Sequence, residues 1–207
     1  MAPNIYTRVV DAISEWLGVF AELLILSAVA IGFYNVVARY LAKYGEPLSI
    51  FINEYTGLSL QPDMLNRLSS NVFIELQWYL FSLVFFLGFS YILKNGINVR
   101  VDFLYTNFTA KRKALIDIVG HVLFLIPFCV ISTWISISPV RRSWAQWEMS
   151  PDPGGLPRAP LKAMLIFSFG LLVLQAIAEV MKLWAVYRGN ADPSIAGLDA
   201  DAPIRIE

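Results

Sequence analysis

The chain has 207 residues, of which 57% are apolar and 15% charged, with sixteen basic residues balancing sixteen acidic ones and a mean hydropathy of +0.59. A soluble domain carries about 25% charged residues, so this composition cannot coat a globule in water, and zero net charge removes the electrostatic case for nucleic acid. One cysteine, Cys129, and one histidine, His121, exclude an internal disulfide, a multi-thiolate metal site and a bis-histidine haem by counting.

In chain order, residues 1–16 place Ile5, Val9, Ile13 and Trp16 at helical spacing and read as an interfacial N-terminal helix. Residues 17–38 form a first apolar segment long enough to cross a bilayer, which takes about 20 residues. Its apolar run is too long for a signal-peptide core and no basic cluster precedes it, so it reads as an uncleaved anchor. The linker 39–71 has apolar pieces of its own and a helix start at Pro62–Asp63, predicting one or two helices on the membrane surface. Further spans are expected at 72–93, 115–137 and 163–186, separated by a compact basic linker at 94–114 and by 138–162, whose prolines and glycines predict a non-helical connection. Residues 189–207 are polar and acidic and read as a disordered tail. The predicted fold class is an all-α membrane protein, four transmembrane helices in one bundle.

With four spans both termini share a side. That side and the second linker hold nine basic residues and the opposite side seven; the cluster Lys111–Lys113 beside the third span favours the cytoplasm for the termini. Charge inside the membrane needs an account. Glu22, Asp117, His121, Glu179 and Lys182 fall near the terminus-bearing face, with Glu75 and Gln77 near the other. Interfacial snorkelling and pairing explain the first group, Asp117 with His121 at i,i+4 and Glu179 with Lys182 at i,i+3; a proton or cation relay is the competing reading. Asn35 and Gln175 read as hydrogen-bond partners between helices, and Ala28 with Gly32 as a small-residue pair that admits a neighbouring helix. GxSxG, Walker A, HExxH and CxxC are all missing, so no enzyme, catalytic residue, metal or cofactor is expected.

Four stretches are more specific: NVVARY at 35–40, ELQWYLFSLVFFLGFSYILKNGINVRVDFLY at 75–105, SWAQWEMSPDPGGLPRAPLKA at 143–163 and GLLVLQAIAEVMK at 170–182. Their succession, over about residues 13–188, resembles the small membrane subunit of tripartite ATP-independent periplasmic (TRAP) transporters, in the branch often labelled for mannitol or chloroaromatic compounds. Glu75, Trp78, Gly88, Lys94, Arg100, Val101 and Asp102 fit the family pattern after the second span begins; Asn98 stands where a histidine is usual, and the linker at 44–70 is longer than the family's. The resemblance implies a sodium-driven importer of organic acids. In it a periplasmic binding protein captures the substrate, a large multi-span subunit moves it by an elevator motion, and the small subunit braces the large one in the bacterial inner membrane among its lipids. Arg39, Glu75, Trp78, Asp102, Glu148, Gln175 and Glu179 are the candidates for subunit contact or docking. Two other classes compete: a haem- or quinone-binding anchor of a redox complex, for which His121 would need a methionine partner, and a self-sufficient small exporter using Glu22.

Overall fold

The structure is a computed structural model that describes residues 4–57, 70–97 and 108–198. The expected helix start at Pro62–Asp63 and the stretch NVRVD, with Arg100, Val101 and Asp102, lie outside the described residues. Six α-helices are described: α1 (Ile5–Lys43), α2 (Gly45–Thr56), α3 (Asn71–Lys94), α4 (Ala110–Gly120), α5 (Ile126–Gln146) and α6 (Ala159–Tyr187). A π-helical turn, His121–Leu125, joins α4 to α5, so that α1, α3, the continuous α4–α5 rod and α6 are four helices long and apolar enough to cross a membrane.

The N-terminal segment is not a separate surface element. Nothing in residues 5–20 breaks a helix, and α1 runs through them as one rod of 39 residues. Its buried positions explain why. Thr7, Ser14, Ala21, Ala28 and Asn35 recur every seven residues, and Val10, Leu17 and Ala38 fall three residues after members of that series. A seven-residue period keeps one seam against a neighbour along the whole length and produces left-handed packing at a shallow angle. Small side chains let the partner come close: the Tyr91 ring of α3 lies against Gly18, and a Cβ on Gly32 would stand 2.7 Å from the Gln77 amide nitrogen. These two contacts make α1 and α3 antiparallel.

The ladder of α4–α5 changes register at the π turn for a local reason. Pro127 has no N–H to donate and its ring crowds the carbonyl four residues back; the wider i→i+5 turn over His121–Leu125 absorbs that misfit just before it. Pro139 also sits inside α5. The expected non-helical stretch therefore shrinks to residues 147–158, because a single missing N–H does not end a helix propagated from both sides. Leu93 of α3, Cys129 of α5 and Leu172 and Ala176 of α6 form the central apolar cluster.

Beyond α6 the chain does not simply leave the protein. Asp192 caps a short 3₁₀ turn (Pro193–Ala196) by accepting from the Ser194 N–H at 3.0 Å. Leu198 then buries itself against Ala114, Leu183 and Val186. The tail read as disordered is thus ordered through Leu198, since one apolar residue in a polar stretch suffices to dock it. The first linker contributes α2, ended by Gly57 at φ 67°; its apolar residues Ile50, Phe51 and Tyr55 are exposed.

Candidate functional site

Two polar clasps hold the bundle, one at each end. The first fastens the connection between α5 and α6. Helix α5 ends at Trp147, in the left-handed region at φ 45°; the Glu148 N–H bonds to the Ser143 carbonyl at 3.0 Å and the Trp147 N–H to that of Trp144 at 3.3 Å. This is a Schellman ending, with tryptophan where glycine is usual. The chain then forms a narrow hairpin: the Ser150 N–H donates to Leu156 O at 3.1 Å and the Arg158 N–H to Glu148 O at 2.8 Å. Asp152-Pro153-Gly154-Gly155 makes its tip, with Pro153 supplying the fixed φ and Gly154, at φ 74°, the position only glycine takes easily.

Helix α3 grips this hairpin. Glu75, 7% exposed, accepts the Leu156 N–H. One turn on, the Tyr79 hydroxyl donates to the Pro157 carbonyl at 2.5 Å. Gly155 is required by proximity: a Cβ there would stand 2.9 Å from the second Glu75 oxygen and collide with the Ser150 side chain. Beside the hairpin, the Lys162 ammonium donates to Glu148 at 2.5 Å, and this ion pair holds the Glu148 carboxyl below its ordinary value of 4.5. A carboxyl with a depressed folded-state value adds stability above the ordinary value and loses it as pH falls through the lowered one. Backbone amide exchange over residues 149–157 is therefore expected to be flat with respect to structure above pH 5 and to show rising opening below about pH 4.5, an acid response that Glu148→Gln weakens and the Glu75 carboxylate, bonded to Leu156, keeps in part.

The second clasp ties the start of α1 to the end of α6. Gln175 is fully buried. Its carbonyl accepts from the Ser14 hydroxyl at 2.8 Å, and its amide donates to Asp11 at 3.0 Å and Glu179 at 2.9 Å. Lys182 bonds the same two carboxylates, Asp11 at 3.0 Å and Glu179 at 2.6 Å. Gln175, Asp11, Glu179 and Lys182 each serve at least two others, the condition under which a buried polar network holds its geometry. Alongside, Lys94 at the end of α3 pairs with Glu15 of α1, and the Tyr6 hydroxyl donates to the Leu174 carbonyl at 3.0 Å. A cavity of about 190 Å³ lies where α3 stops, lined by Lys94, Asp117, His121, Glu179 and, from the tail, Ala196 and Gly197. No group of three or more His, Cys, Asp or Glu side chains suited to a metal ion occurs among the described residues.

The expected pair Glu179–Lys182 is present at i,i+3, and Gln175 does bond between helices. Asn35 differs: it is buried, but its carbonyl accepts from Arg39 in its own helix at 3.3 Å, and Arg39 reaches across to Asn71 of α3 at 3.1 Å. Trp78 is 73% exposed on the outer face of α3. Glu75 and Glu148 come together at the hairpin, Gln175 and Glu179 at the other end, and Asp102 is outside the described residues. Asp11, Ser14 and Tyr79 escaped the sequence reading. The spacing Glu75–Tyr79, one helical turn, was a usable signal; Asp11 and Ser14 were hidden by reading their segment as a surface helix.

The profile of the family "Tripartite ATP-independent periplasmic transporters, DctQ component" matches residues 66–186. The chain belongs to the DctQ family. The match takes in α3 through nearly all of α6, hence the hairpin clasp and the α6 side of the second clasp, while α1 precedes it. A DctQ chain is the small component of a TRAP transporter, which makes this a transporter component of the membrane. A stretch of 61 residues is also 36% identical to gamma-aminobutyric acid type B receptor subunit 2 of Rattus norvegicus, Mus musculus and Homo sapiens. It covers 27% of this chain and the chain spans only 6% of the length of those receptors. No solved structure matches.

Proposed function

We propose that this DctQ chain is a brace: it holds the large subunit of a sodium-driven importer while that subunit carries an organic acid, delivered by a periplasmic binding protein, through an elevator motion. The observation that carries the reading is how the buried polar side chains are used. Ser14, Gln175, Asp11, Glu179 and Lys182 bond α1 to α6, Ser168 bonds α6 to the Phe86 carbonyl of α3 at 2.5 Å, and Glu75 bonds α3 to the α5–α6 hairpin. Polar groups spent on joining helices make a stiff body.

On this reading Glu75, Gln175 and Glu179 act inside the chain and set the shape that a partner meets. Arg39, Trp78 and Glu148, which face outward, touch the partners, and the hairpin at 147–158 is the surface offered to the periplasmic protein. Both termini lie in the cytoplasm of a bacterium and the spans in its inner membrane. Selection of the organic acid is left to the other two components. Reconstituting the large subunit into liposomes with the binding protein and a sodium gradient, with and without this chain, tests the role. Uptake is expected to fall at least about tenfold without it, a threshold equal to a loss of about 1.4 kcal/mol. Undiminished uptake by the large subunit alone would refute the brace.

A further inference from the structure

Glu22 differs from the other acids in the four spans. Glu75 and Glu179 are buried and bonded, and Asp117 lines the cavity beside α6. Glu22 is exposed on the outside of α1 and has no hydrogen bond or ion pair with any described residue. Around it the surface is apolar, with Val19, Leu23 and Leu26 all more than half exposed.

Its depth is fixed by contacts across the bundle. Gly18 against Tyr91 and Gly32 against Gln77 set the antiparallel register of α1 and α3, which brings Glu22 level with Leu87 and Gly88. Ser168 of α6 bonds the Phe86 carbonyl at 2.5 Å, and Phe169 packs edge-on against Phe128 of α5 at 6.0 Å. Glu22, Leu87, Phe128 and Ser168 therefore share one level. Measured from the terminus-side ends of the four expected spans, that level lies inside each apolar stretch, about 8 Å in on α1, about 9 Å on α3 and farther on α5 and α6, at about 1.5 Å per residue. A glutamate side chain is shorter than that of lysine or arginine and reaches water less readily from within an apolar stretch.

The same level holds a second feature. Gly88 is on α3 beside the seam with α1, and a Cβ placed there would meet only the tip of Ile92, at 4.0 Å. The surface has a notch there, beside the carboxylate's level and next to exposed Phe85.

We propose that the outer α1–α3 seam at Glu22 is the docking surface for a helix of the large subunit that presents a lysine or arginine to Glu22, seated at the Gly88 notch. The inference rests on the brace reading and adds to it the face and the chemistry of contact. A cation brought to an acid in hydrocarbon satisfies both, and breaking one member of a desolvated pair weakens an interface by more than tenfold.

The test coexpresses this chain with its large subunit and purifies the complex in mild detergent. Glu22→Leu is expected to reduce the copurified large subunit at least about tenfold, while the melting temperature of the separately purified small subunit stays the same or rises, since no described residue forms a hydrogen bond or ion pair with Glu22. A photo-crosslinking benzophenone side chain in place of Leu26, one turn along the same face, is expected to capture the large subunit. Copurification of Glu22→Leu at the level of the unaltered chain, or capture of lipid alone from position 26, would overturn the inference while leaving the brace intact. A lowered melting temperature for Glu22→Leu would assign the residue to the subunit's own fold and overturn it as well. Failure of the unaltered chain to copurify would remove the brace reading, and this inference with it.

Discussion

Lys182→Met is expected to lower the unfolding free energy of the detergent-solubilised chain by about 3 kcal/mol. The ammonium of Lys182 bonds both Asp11 and Glu179, and both carboxylates also take a hydrogen bond from the same Gln175 amide. Without the lysine, two acids converge on one neutral donor in a site where Gln175 has no access to solvent. Removing one partner of a buried pair costs more than the pair contributes, because the abandoned charge stays behind. The double variant Lys182→Met with Glu179→Gln should therefore recover part of the loss, and the recovery measures the coupling. Unfolding followed by far-ultraviolet circular dichroism against increasing SDS reads both. A single variant within about 0.5 kcal/mol of the unaltered chain, the range of ordinary surface changes, would show that the network does not hold α1 to α6.

At the other end, Glu75→Ala should free the hairpin. The Leu156 N–H loses its acceptor, and its exchange with solvent deuterium is expected to speed up at least about tenfold, the factor that corresponds to losing one charge-assisted hydrogen bond. Glu75→Gln keeps an acceptor oxygen and should exchange at an intermediate rate. Gly155→Ala should reproduce the alanine effect from the opposite side, since its methyl group would collide with Ser150 and crowd the carboxylate. Exchange at Leu156 that is equally slow in all three variants would mean that the hairpin is held by its own backbone bonds and Tyr79, without the carboxylate.

The spans were legible because hydropathy needs only length, and the four apolar segments coincide with four long helices. The hairpin was legible in part: Asp152-Pro153-Gly154-Gly155 is written in turn residues, yet nothing local says that Glu75, some 81 positions from Leu156, would be its anchor. The extent of α1 was misjudged for a physical reason. Hydropathy averages over all faces of a helix, and the seam that matters here, Thr7, Ser14, Ala21, Ala28 and Asn35, is small or polar at every step. Its seven-residue period was readable, but only by asking about size in place of hydrophobicity. The level of Glu22 relative to the other helices was not readable from α1, because it depends on how neighbouring helices are shifted along their axes, and that shift is set by contacts such as Ser168 with Phe86.

That shift reaches past the protein itself. Aligned through Ser168 and Phe86, the expected apolar stretch of α6 sits about 15 Å lower than that of α3, ten residues at about 1.5 Å each. The greasy belt around the molecule therefore slants instead of ringing it squarely. In a flat bilayer a slanted belt makes the whole bundle lean, and what leaning does not absorb, the lipid must take up by thinning or thickening next to the protein. A transporter that moves its cargo across the membrane has a shorter distance to cover where the lipid beside it is thinned, so on the proposed brace reading the stagger of two helical hairpins bears on the path length of transport as well as on the strength of the contact between subunits.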